Sequence, residues 1–199
     1  FGLSSGAISL QTGNSLGDRS GNIRMSVGNS KQIGGTILLQ AGDSSTSVGG
    51  SVEIKSGGST TGNSGSIKIT SGDAYVSGNS GNVVLQSGTS NGGASGSVRL
   101  KTGTAKGGSS GSISLSVGST QSSVGGAINL HAGNTNDNAE AGGSVFIHSG
   151  SGGRGGSLSF SAGKGTGMTG GSLSMRSGSG IATSSGSITV NTGNGGTNG

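Results

Sequence analysis

Apolar residues fall in pairs two apart, each pair opening two residues after a glycine. Gly6 leads to Ile8 and Leu10, Gly50 to Val52 and Ile54, Gly111 to Ile113 and Leu115. The leading glycines are Gly6, Gly21, Gly35, Gly50, Gly65, Gly81, Gly96, Gly111, Gly126, Gly143, Gly156, Gly171 and Gly186. The unit is glycine, a small residue, apolar, any, apolar, any, a third small residue and glycine, followed by a polar stretch of about seven residues. Spacing of two puts both apolar side chains on one face of a strand, whereas a helix would need three or four. The third position on that face stays small, as at Thr12, Ala41, Ser56, Thr102, Ala132 and Ser149.

A fixed period of about 15 residues marks a repeat architecture, and one strand per period predicts parallel stacking. The expected fold is all-β, a parallel β-solenoid (β-helix) of about 13 coils with no helices. Residues 1–199 then form a single continuous array, with 1–5 the tail of a preceding repeat. Neighbouring coils are expected to hydrogen-bond at about 4.8 Å. The leading glycines suit corners that need positive φ or close backbone approach. Asn14, Asn29, Asp43 and Asn134 suit the turns of the return segments. Two aliphatic residues per coil cannot offset the entropy of ordering that coil, so stability must come from stacking. Neither end carries a helix or charged strand to cap a sheet edge, which predicts continuation into further repeats or end-to-end self-association.

Composition pulls the other way. There are 49 Gly in 199 residues, 26% hydrophobic residues and 2% aromatic ones. A thick globular core is excluded, and abundant Gly and Ser with low hydrophobicity is also the signature of disordered linkers. The solenoid reading therefore rests on residue order overriding composition. Pro is absent, which excludes collagen-like and polyproline rods. Cys is absent too, so there is no disulfide framework and no thiolate metal site. No apolar run approaches the roughly 18 residues of a membrane span.

The net charge is +5, from 11 Lys+Arg against 6 Asp+Glu. Charge is too sparse for a nucleic-acid binder but permits attraction to an anionic polysaccharide or a mineral surface. Arg24, Glu53, Lys55, Lys68, Arg99, Lys101 and Arg176 occupy outward strand positions, and in a solenoid Glu53 would stack on Lys68. His131 and His148 share one outward position in consecutive coils, where a solenoid would bring them about 5 Å apart. No Asp, Glu or Cys joins them in the repeat frame, so they are exposed residues rather than a metal site. Leu38, Val84 and Phe146 also point outward, as contacts should that face pack on another chain. The acidic residues are scattered, which excludes a calcium β-roll and a carboxylate pair for acid–base chemistry. The stretch 163–167 has glycines about Lys164 but lacks the order and the helix of a phosphate loop. No catalytic, cofactor-binding or metal-binding residue is expected, and the chain is not expected to be an enzyme. No Asn has Ser or Thr two residues on, so N-glycosylation acceptors are missing.

The units Gly50-Ser-Val-Glu-Ile-Lys-Ser-Gly57 and Gly111-Ser-Ile-Ser-Leu-Ser-Val-Gly118 resemble the Gly/Ser-rich repeats of very large secreted or cell-surface proteins of diatoms and related algae. In coil length the chain is also similar to solenoid adhesins and ice-binding proteins. The resemblance implies an extracellular or cell-surface structural component and carries over no catalytic residues. The expected function is a structural, fibre-forming or adhesive rod. The alternative is a binding module for an extended surface such as ice, anionic polysaccharide or mineral. Ice needs one side chain repeated in rank, but the outward positions read Ser9/Gln11, Arg24/Ser26, Leu38/Gln40 and Glu53/Lys55.

Overall fold

In a computed structural model, which describes residues 5–196, the backbone bends sharply once between each pair of successive apolar segments. In the first half the bends lie at 16–18, 31–32, 45–47, 60–62, 75–78 and 91–93. In the second half they lie at 106–108, 121–123, 138–140, 152–154, 166–168 and 181–183. All fall in the polar stretches, and the segments carrying the apolar pairs run unbent. The chain divides into two units, Phe1–Leu100 and Lys101–Gly199. The division falls inside the seventh apolar segment, 96–103, rather than in a polar stretch. Residues 1–4 of the expected N-terminal tail lie outside the described residues.

Each bend closes on a neck, where the leading glycine of one repeat meets the third small residue of the repeat before it. A Cβ added to Gly21 would lie 3.4 Å from Thr12, one on Gly65 3.4 Å from Ser56, and one on Gly171 3.5 Å from Ala162. Every leading glycine from Gly21 to Gly186 has this neighbour. The approach is tightest where the small residue is valine. At Gly35 and Gly126 the Cβ would stand 2.6 and 2.8 Å from a methyl of Val27 and Val117, which would have to turn aside. At six necks the leading glycine N–H also donates to a glycine carbonyl. These bonds run from Gly50 to Gly42 (2.8 Å), Gly65 to Gly57 (2.9 Å) and Gly143 to Gly133 (2.9 Å). Those from Gly156 to Gly150 (2.9 Å), Gly171 to Gly163 (3.0 Å) and Gly186 to Gly178 (2.9 Å) complete the set. The enclosed stretch varies in length between these pairs, yet the same bond closes it.

Pairing stops at the neck. Among the described residues there is neither a strand nor a helix, so the chain is not all-β and not a β-solenoid. The expected coils are replaced by a run of bends, each held by a short local closure. Burial shows the physical reason. From the second pair on, the first apolar residue keeps half to two-thirds of its surface in water, as at Ile37 (52%), Val98 (53%) and Ile128 (49%), and Ile8 of the first pair is fully exposed. The second keeps more in most pairs, as at Leu100 (76%) and Leu115 (70%). A side chain half in water recovers only part of the ~1.5–3 kcal/mol that full burial supplies. Against that, glycine loses more backbone freedom than any other residue on entering a strand, and 49 of them must be ordered. The accessible surface is 20389 Å² for 18.5 kDa. A folded monomer of that mass exposes roughly 8,000 Å² and an unfolded chain roughly 27,000 Å². Composition has prevailed over periodicity at the level of the sheet.

Periodicity still decides what little is covered. Seven described residues are half-buried, and all others are exposed: Thr12, Ala41, Ser56, Ser87, Thr102, Ala132 and Ser177. All seven occupy the third same-face position, under the following glycine. Glycine serves here for close approach and not for positive φ. Among the described residues only Gly78, in the bend at 75–78, has a left-handed φ, at 104°.

Candidate functional site

Among the described residues, six of the twelve bends are held by a side-chain hydroxyl. Ser15 Oγ accepts from Gly17 N–H (3.1 Å), Ser30 Oγ from Gln32 (3.2 Å) and Ser44 Oγ from Ser47 (2.9 Å). Ser59 Oγ accepts from Gly62 (2.8 Å), Ser90 Oγ from Gly93 (3.0 Å) and Thr135 Oγ1 from Asp137 (3.1 Å). Each of these hydroxyls stands two residues after the glycine that ends an apolar segment. A short hydroxyl there replaces a backbone acceptor and fixes the turn. After Gly150, Gly163 and Gly178 the same place is glycine. At Gly165 and Gly180 a Cβ would collide with the carbonyl oxygens of Met168 and Thr183, so the backbone itself fills the space. Ala74 and Ala105 hold this place in two other repeats, so no single class of residue closes every bend.

The expected turn formers Asn14, Asn29, Asp43 and Asn134 immediately precede these hydroxyls, and the hydroxyls make the contacts. Among the described residues only Asp137, just before the bend at 138–140, caps in the manner expected of Asx residues, accepting from Ala139 N–H at 2.9 Å. The signal was in the sequence as Ser/Thr or Gly recurring at one register except at Ala74 and Ala105, hidden by the abundance of both residue types.

The outward residues of the apolar segments are exposed: Arg24, Glu53, Lys55, Lys68, Arg99, Lys101, His131, His148 and Arg176. Without a ladder between coils, nothing in the backbone sets His131 above His148 or Glu53 above Lys68. The described ring neighbour of His148 is Phe146, stacked at 6.1 Å between centroids and 15° between planes. These two rings are two residues apart on one side of the same segment, so local spacing alone places them together. Leu38, Val84 and Phe146 are 76%, 72% and 78% exposed.

Among the described residues no group of three His, Cys, Asp or Glu comes together, no cavity is enclosed, and no helix is long and apolar enough to cross a membrane. What the chain offers is a repeated surface. Each segment carries an apolar pair on one side and variable, mostly polar or charged residues on the other. Comparison with known protein families, with curated proteins and with solved structures gives no match.

Proposed function

We propose that the chain is a structural, fibre-forming or adhesive repeat array of the cell surface or extracellular space, acting through repetition of one surface and not through a single site. The observation that carries this reading is the recurrence of one partly covered apolar pair at a constant period, each fixed locally by a bend and a neck. A half-wet aliphatic pair is too weak to fold a repeat but, multiplied along the chain, supports association with like repeats. Absence of Cys and Pro and the scarcity of charge leave such association to apolar contact and backbone pairing. The partner is another copy of the array or a continuation into further repeats.

Sedimentation velocity over a wide concentration range, with negative-stain electron microscopy of the same samples, tests the proposal. Concentration-dependent assemblies that grow into unbranched filaments support it. Replacing Leu100, Leu115 and Leu130 with Ser should weaken them. A monomer at every concentration, with no filaments on the grid, would overturn it.

A further inference from the structure

Asparagine followed by glycine is among the least stable steps of a protein chain, because no Cβ shields the amide nitrogen that can attack the Asn side chain. Three such steps occur here, at 91–92, 194–195 and 198–199. Only the first lies in a bend, at 91–93; the second lies beyond the last bend, and the third outside the described residues. That bend is closed by its flanks. Ser90 Oγ accepts from the Gly93 N–H at 3.0 Å, so the bond spans the Asn91–Gly92 step without using either residue. Among the described residues no hydrogen bond takes the Gly92 N–H. Apart from its chain neighbours, no atom lies within 4 Å of where a Cβ on Gly92 would stand. No strand or helix restrains the step either. Other Asn residues beside bends differ. Asn14, Asn29 and Asn134 precede Ser15, Ser30 and Thr135, whose side chains crowd the attacking nitrogen and whose hydroxyls are engaged in turns.

We propose that Asn91 is a self-modifying site, at which the Gly92 amide nitrogen closes on the Asn91 side chain and the product opens the bend at 91–93. The Gly92 nitrogen gives up its proton and attacks Cγ of Asn91. A C–N bond forms, the Cγ–Nδ2 bond breaks, and the side-chain nitrogen leaves as ammonia. The result is a cyclic succinimide. Water then adds to either ring carbonyl and breaks its bond to nitrogen. Addition at Cγ gives aspartate. Addition at the backbone carbonyl gives isoaspartate, in which the main chain runs through Cγ and is one methylene longer. Ammonia leaves, water enters, and nothing is oxidised or reduced. Either product adds a negative charge, lowering the net charge of +5 by one. The extra methylene of isoaspartate lengthens the path that the Ser90–Gly93 bond must close. The converted fraction therefore records the age of the chain. This chemistry belongs to one bend and does not depend on the array reading.

The test ages the purified chain at mildly alkaline pH and digests it with trypsin. Cleavage after Lys68 and Arg99 releases residues 69–99, which carry Asn79 and Asn82 beside Asn91 as internal controls. Mass spectrometry with electron-transfer fragmentation locates each converted residue and separates isoaspartate from aspartate. Asn91 should convert at least about tenfold faster than Asn79, which Ser80 follows, and Gly92→Ala should slow it by about as much. The rate should rise with pH, because attack needs the amide anion. It should stay within about threefold when urea is added, because nothing in the bend holds the two groups apart. Protection of the Gly93 amide, about two- to thirteenfold at first, should fall to about one in the isoaspartate form. Conversion of Asn79 as fast as Asn91, or an Asn91 that stays intact until urea is added, would overturn the assignment. Unchanged Gly93 protection in the isoaspartate form would overturn its link to the bend.

Discussion

Substituting the leading glycine of a neck should open it at Gly50 and leave it closed at Gly186. Both residues donate a backbone hydrogen bond across the neck, at 2.8 and 2.9 Å. A Cβ at position 50 would lie 3.1 Å from the Ala41 Cβ and 3.2 Å from the Gly42 nitrogen. The crowding atoms are backbone and the root of a side chain, so the neck itself must move. At position 186 the nearest atoms are 3.6 Å away, an ordinary contact. The net worth of one such bond is about 0.5–1.5 kcal/mol, which corresponds to a slowing of amide exchange by about two- to thirteenfold. Closing a loop of about eight residues costs a comparable amount, so protection sits at the low end and responds visibly to a small perturbation. Gly50→Ala should reduce protection at residue 50 to about one. Gly186→Ala should keep it or raise it by about two- to fivefold, because alanine removes freedom from the open chain. The assay is hydrogen exchange by NMR at each neck amide, corrected for the intrinsic rate of the new sequence. Equal loss at both positions would refute the argument that contact distance decides the outcome.

Three further results follow from the same geometry. Gly35→Ala should disrupt its neck alone but be accepted together with Val27→Ala, since the obstructing atom is a Val27 methyl at 2.6 Å. The readout is the NMR proximity of residue 27 to residue 35, which should be lost in the single variant and return in the double. Ser59 Oγ accepts from the Gly62 amide at 2.8 Å. Ser59→Ala should free that amide and weaken the bend by about 0.5–1.5 kcal/mol, read as faster exchange at Gly62 and rescued by Thr. Gly78 has a φ of 104°, whereas Gly57 stands in open space with an ordinary backbone. Gly78→Ala should strain its bend by about 1–2 kcal/mol and Gly57→Ala should be neutral, a difference reported by the chemical shifts of the flanking residues.

The sequence was legible to different depths at different scales. The pairing of Ile37 with Leu39, or Val98 with Leu100, identified the repeat and its least exposed face, and the third small position is where the structure covers most surface. The step from one face per repeat to a sheet failed. It assumed that stacking would supply what each repeat lacks, but half-wet aliphatics set against so much glycine do not reach that threshold. The compositional signal of 49 Gly and 26% hydrophobic residues pointed to the outcome. The leading glycines were read as corners of positive φ or of close approach, and the structure uses them for close approach, as at Gly35 against Val27. The hydroxyl positions Ser15, Ser30, Ser44, Ser59, Ser90 and Thr135 were not singled out, because a Ser in a Ser-rich polar stretch carries no contrast. Pairings that needed a shared sheet, such as His131 with His148, lost their basis with it. The contact between Phe146 and His148, set by spacing of two along one segment, depended on no such assumption.

Far-UV circular dichroism with amide I infrared spectroscopy, followed through a urea titration of the purified chain below its association concentration, tests the central claim most directly. Spectra without a β-sheet component and a gradual, non-cooperative response to urea are expected, because each bend and neck opens by itself. A sheet band that disappears in one cooperative transition would show that the repeats stack after all, and would contradict it.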